Sequence, residues 1–280
     1  MNIRKVINIT VSRPAMEGAG VRLHRAFGFG DTKATDPFLL LDDFRGDRPG
    51  DYMSGFPWHP HRGIETITYM LEGEVEHSDS IGNSGVIGAG DVQWMTAGSG
   101  IIHQEMPKES KNGRMGGFQL WANLPAKNKM SAPKYRGLTS KNIPSVKDDS
   151  GEVKIICGEY KGVKGPVRDI AIEPEYFDVK LKAGGKFEHL VADRHNCFAY
   201  IYGGEASFGG EKADNRSLVY FGDTGTLSVV AGEEGASFIL ISGKPLKEPV
   251  AWYGPIVMNT EEELETAFKE YENGTFIKKQ

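Results

Sequence analysis

The sequence predicts a mainly β protein, built as two β-barrel domains in tandem and closed by one C-terminal α-helix. Three observations predict it. Glycine makes up 36 of the 280 residues, roughly twice the usual share, so many tight turns are required. Apolar residues fall at alternate positions or in blocks too short for helices. A strand, turn, strand pattern in the first half also recurs in the second, which is the mark of a duplicated unit.

The strands are legible in order: Ile64–Leu71, Asp91–Met95, Gly117–Trp121, Leu218–Phe221 and Ala236–Ile241. Strands this short and this regularly spaced belong to a sandwich or barrel. The helix is announced by Thr260 and Glu263, the two ends of a capping box, with Leu264, Ala267, Phe268 and Tyr271 following at helical spacing and Gly274 as the stop. The duplication rests on Tyr69–Val75 against Tyr200–Ala206 and on Gly90-Asp91 against Gly222-Asp223, both at a shift of about 131 residues. The polar stretch Thr139–Ser150, which contains Pro144, reads as the boundary. The expected domains are therefore 1–138 and 153–280, with 139–152 as linker.

Composition excludes several classes. Lys and Arg number 33 against 38 Asp and Glu, a net charge of -5, and no basic stripe appears, so direct nucleic-acid binding is not expected. Cys157 and Cys197 are too few for a disulfide framework, and no apolar signal core occupies the first 30 residues, so a cytoplasmic, reducing setting is expected. No apolar run approaches the roughly 18–20 residues of a membrane-crossing helix, so no membrane partner is expected. The protein is expected to be a monomer.

The chemistry lies in Phe56-Pro57-Trp58-His59-Pro60-His61-Arg62-Gly63. In an extended strand, residues i and i+2 leave the same face about 6.5–7 Å apart, so His59 and His61 can lean toward one metal ion. His103 and Glu105 repeat that spacing with an imidazole and a carboxylate. A lone His-x-His arises by chance on many surface strands; the His-x-Glu about 40 residues on separates this pair from those. Three imidazoles and one carboxylate leave coordination positions open, the condition for catalysis rather than for a closed structural site. His24, His77, His189 and His195 lack such neighbours and read as ordinary polar or packed residues. Arg62, beside a ligand, is a candidate to orient a carboxylate or an anionic substrate. Glu65 reads either as an inward polar group or as a support for a ligand. Phe56 and Trp58 are candidates to line an apolar pocket for a planar molecule.

The runs His59–Gly73 and Gly90–Met106 resemble the metal-binding region of the pirin family, which are bicupins. Asp36–Phe44 and Gly254–Thr260 resemble the same family, so the resemblance spans nearly the whole chain. It implies two cupin barrels, each a double-stranded β-helix, with non-haem iron, Fe(II) or Fe(III), held in the first by His59, His61, His103 and Glu105. It also implies that Glu65 stands outside the ligand set. The donor set itself suits Mn, Co, Ni, Cu and Zn as well. One departure is Asp51–Gly55, longer than in animal members. Two functions are implied: a quercetin 2,3-dioxygenase that cleaves a flavonol with O2, in which Glu105 also accepts the substrate's hydroxyl proton; or a redox-responsive module that regulates a transcription factor or metabolic enzyme as its protein partner. Applying the repeat shift to the four ligands gives Leu190, Ala192, Gly235 and Ser237, so the second barrel is expected to be metal-free and structural.

Overall fold

The computed structural model describes residues 2–110 and 112–278. The chain forms two compact units, one of residues 14–140 and 246–278, the other of residues 2–13 and 141–245.

In the first unit a seven-stranded sheet runs in the order Lys134–Leu138, Val92–Thr96, Ile64–Glu72, Gly116–Asn123, Phe38–Asp43, Val21–Phe27, Arg13–Glu17. A four-stranded sheet of Phe56–His61, Ile101–Lys108, Glu74–Asp79 and Ser84–Ile87 accompanies it. Burial of Leu39, Ile64, Met95, Ala97, Ile101 and Val257 in one cluster stabilises this unit, at about 1.5–3 kcal/mol for each large aliphatic side chain removed from water. In Asp51–Gly55, Tyr52 and Gly55 are buried while Met53 and Ser54 are exposed. The helical turn Pro49–Tyr52 sends Tyr52 into a cluster with Leu23, Phe44 and Met115, and its hydroxyl donates to the Gly113 carbonyl at 3.1 Å.

The other unit repeats the strand order: Val6–Val11, Ser217–Phe221, Asn196–Phe208, Thr226–Gly243, Glu175–Leu181, Gly151–Cys157, Ser145–Asp148. Register shows which part of the expected repeat holds. Tyr69 pairs with Phe118 and Val92, and Tyr200 pairs with Ile239 and Leu218, so those two tyrosines correspond. Gly73, just after Ile64–Glu72, and Gly204, within Asn196–Phe208, both take positive φ, as the match required. Gly90-Asp91 and Gly222-Asp223 do not correspond, because the first pair precedes Val92–Thr96 whereas the second follows Ser217–Phe221. A single shift cannot relate two units whose loops differ in length.

The observed division also differs from the expected one. Strand Val6–Val11 pairs antiparallel with Ser217–Phe221 and so extends the sheet of the second unit. The closing helix Glu261–Glu272 belongs to the first, where Leu264 and Ala267 are buried with Ile256, Met258 and Phe276. Within the expected linker, Ser145–Asp148 is a strand paired with Gly151–Cys157. The helix itself starts as expected: Thr260 accepts from the Glu263 amide at 3.2 Å while the Glu263 carboxylate accepts from the Thr260 amide at 3.2 Å. Gly274, at φ +71°, ends it.

Candidate metal centre

Strand Phe56–His61 lies antiparallel to Ile101–Lys108 with His59 directly opposite His103 and His61 opposite Ile101. The three imidazoles therefore converge, with ring centroids 4.4–5.0 Å apart and ligand nitrogens all within 4.8 Å of one another. Their hydrogen bonds assign the tautomers. His59 Nδ1 donates to the Pro57 carbonyl at 2.8 Å, and His61 Nδ1 donates to the Pro255 carbonyl at 3.1 Å. That leaves two Nε2 lone pairs facing each other at 3.1 Å. His103 is only 1% exposed, and among the described residues neither of its ring nitrogens has a hydrogen-bond partner.

Such an arrangement is unfavourable by itself, since an unsatisfied buried polar group costs about 1–3 kcal/mol. A cation among the three imidazoles removes the repulsion and satisfies one of the two unpartnered His103 nitrogens. Burial lowers the pKa of all three histidines, His61 and His103 well below the ordinary value, so they stand neutral and ready to donate. The residues fit a transition-metal ion.

Glu105 is buried and faces the same cavity as His59 and His61. It is not one of the three converging groups. Its Oε1 lies 2.9 Å from the Thr68 hydroxyl, and its Oε2 accepts from Gln119 Nε2 at 3.3 Å. Burial pushes its carboxyl up to about 7, against the lowering effect of those two hydrogen bonds. Opposite it on the next strand is His77, whose Nε2 is 2.7 Å from the Tyr135 hydroxyl, so His77 is engaged with a neighbour of its own.

Arg62 does not serve the role expected of it. Only 2% exposed, it is absent from the cavity wall and turned toward the C-terminal segment. Its guanidinium pairs with Glu270 at 2.7 Å, donates to the Phe276 carbonyl at 2.9 Å and stacks 4.2 Å from the Phe276 ring. Next to it, buried Lys129 donates to the carbonyls of Gly63 and Val257 and to Asn123 Oδ1. Hence the three residues His61, Arg62 and Gly63 are each gripped by the segment 255–276, directly or through one side chain. Glu65 is also absent from the cavity wall and accepts from the Thr96 hydroxyl at 2.6 Å.

Phe56 and Trp58 do line the cavity, which encloses about 620 Å3. Trp58 is 51% exposed and Trp121 packs edge-on to His61 at 5.1 Å. Sequence reading missed Thr68, Gln119, Trp121 and Trp252 on that wall. Cross-strand register brings the first three there, and Trp252 comes from the separate hairpin Ala251–Tyr253 with Ile256–Met258, its ring 6.0 Å from that of Trp121.

Two sheets with one strand order, and three converging imidazoles in one unit, define a two-barrel cupin-type protein with a candidate metal centre. Residues 20–122 match the family model described as Pirin, and residues 176–277 match the one described as pirin C-terminal cupin domain. The chain belongs to the pirin family. It is 46% identical to a pirin-like protein of Caulobacter vibrioides, over 99% of this chain and 100% of that one. It is 40% identical to human pirin, over 96% and 93%. A crystal structure of quercetin 2,3-dioxygenase from Acinetobacter baumannii superposes with a TM-score of 0.90 at 31% identity, covering 98% of this chain and 99% of that one. Among the described residues, no helix is long and apolar enough to cross a membrane.

Proposed function

We propose that the chain is a metal-dependent dioxygenase of the quercetin 2,3-dioxygenase type, which opens the central ring of a flavonol with O2 and releases carbon monoxide and a depside. The observation that carries this reading is the set of three converging imidazoles, two of which share the wall of an aromatic-lined cavity with the buried carboxyl of Glu105. The Acinetobacter enzyme of that name shares the fold over almost its whole length.

His59, His61 and His103 hold the metal, with Glu105 as the fourth donor. Iron is the metal proposed, and the donor set also accepts Mn, Co, Ni, Cu or Zn. When bound, the metal supplies the Lewis-acid and one-electron chemistry through which a deprotonated flavonol meets O2. The chain does the rest. Glu105, buried on the same cavity wall as His59 and His61, accepts the proton of the 3-hydroxyl as the general base. Thr68 and Gln119 keep that carboxylate from turning away. Phe56, Trp121 and Trp252 form apolar walls that exclude water and orient a flat ring.

The test is oxygen uptake by iron-loaded protein with quercetin, paired with detection of carbon monoxide. Consumption of both reactants in equal amounts is expected. A metal-replete protein that leaves quercetin intact rules out the dioxygenase.

A further inference from the structure

We propose that the cavity selects neutral, elongated polyphenols through a row of hydrogen-bonding side chains that crosses four strands away from the histidines, with Asp42 as its specificity-determining residue. The inference rests on the aromatic-substrate reading above and adds where, and by what chemistry, the far end of the ligand is read.

The row is set by strand register. Thr68 is opposite Gln119, Gln119 is opposite Asp42, and Asp42 is opposite Arg25, each on the next strand of the seven-stranded sheet. All four line the cavity. Three strand spacings of about 4.8 Å give a row of roughly 14 Å, the scale of a fused bicycle carrying a third ring. The row begins at the metal end, because Thr68 and Gln119 bond Glu105. The neighbouring positions on the same face are apolar: Leu40 and Trp121 on one side, Leu23 and Phe44 on the other. A polar stripe between apolar rails matches a flat aromatic molecule with hydroxyls along its edge and excludes a sugar, which is polar on all sides.

The charge at the far end narrows the ligand further. Arg25 binds both oxygens of Asp42, at 2.8 and 2.7 Å, and also Glu17 at 2.8 Å. One cation against two carboxylates leaves an excess of negative charge. Asp42 is 4% exposed, so its remaining lone pairs have little water to accept from, and a phenolic hydroxyl reaching this end supplies the donor. A ligand carboxylate at the same place meets like charge.

The test is a binding series on the full-length protein with flavones that lack the 3-hydroxyl and so cannot be turned over, followed by quenching of tryptophan fluorescence. Unsubstituted flavone, 5,7-dihydroxyflavone, luteolin and a flavone carboxylic acid are the probes. The wild-type protein is expected to bind at least one hydroxylated flavone roughly tenfold more tightly than unsubstituted flavone and the carboxylic acid more weakly than either. In Asp42→Asn the hydroxyl preference is expected to shrink to within threefold. Equal wild-type affinity for hydroxylated and unsubstituted flavone overturns the proposal, and so does preferred binding of the carboxylic acid; neither result depends on how the variant folds. Failure of quercetin to consume O2 is a separate readout that sinks the dioxygenase reading and leaves the binding preference standing.

Discussion

The two units put the same ladder to different use. In one, Phe56–His61 against Ile101–Lys108 brings His59, His61 and His103 together, and His103 is buried with no hydrogen-bond partner among the described residues. In the other, Lys186–Leu190 pairs with the first part of Thr226–Gly243, and Phe187, Leu227 and Val229 join the apolar core. A single imidazole, His189, sits there, and Glu175 satisfies it at 2.8 Å while Ser242 donates to the other carboxylate oxygen at 2.7 Å. The lesson concerns satisfaction rather than histidine count. A buried imidazole with its own carboxylate is complete as it stands; three imidazoles aimed at one another are complete only around a cation.

That contrast can be broken from either side. The largest effect is expected from His59→Ala, which should abolish quercetin-dependent oxygen uptake and weaken metal binding by at least about 100-fold, as read by an oxygen electrode and a metal titration. His189→Gln should leave both unchanged. Glu105→Gln keeps a side chain of the same size but cannot take the hydroxyl proton, so kcat should fall roughly 10²–10⁴-fold while metal stays bound, which single-turnover kinetics with elemental analysis would show.

A smaller effect is expected from Arg62→Met. Removing the buried cation leaves the Phe276 carbonyl without its donor and Glu270 with Lys278 alone, so denaturant unfolding should show a loss of about 2–4 kcal/mol. Because Arg62 holds the segment that carries the Pro255 carbonyl, metal affinity should fall as well. The smallest effect belongs to Thr260→Ala, which removes the helix cap and should cost about 1 kcal/mol with no change in metal affinity.

How much of this was legible in the sequence follows from distance along the chain. The convergence of the histidines was legible in part because alternation within a strand is local: His59 and His61 share a face whatever else happens. The capping box at Thr260 and the positive-φ glycines Gly73 and Gly204 were legible for the same reason. Arg62 misled because its partners, Glu270 and Phe276, are more than 200 residues away, so adjacency to a ligand was the only guide. The Thr68, Gln119, Asp42 and Arg25 row was invisible because register between strands is a tertiary property. The exchange of chain ends between units was missed on the same ground: which sheet Val6–Val11 joins is not written in its own residues.

The central claim is that one metal centre exists and that the converging histidines make it. Metal stoichiometry tests this most directly, measured by elemental analysis on wild-type protein, His103→Ala and His189→Gln after equilibration with the same metal buffer. The account predicts one equivalent per chain in the wild type and in His189→Gln, and a near-complete loss in His103→Ala. Retention of the metal by folded His103→Ala, or its loss from folded His189→Gln, would contradict the account.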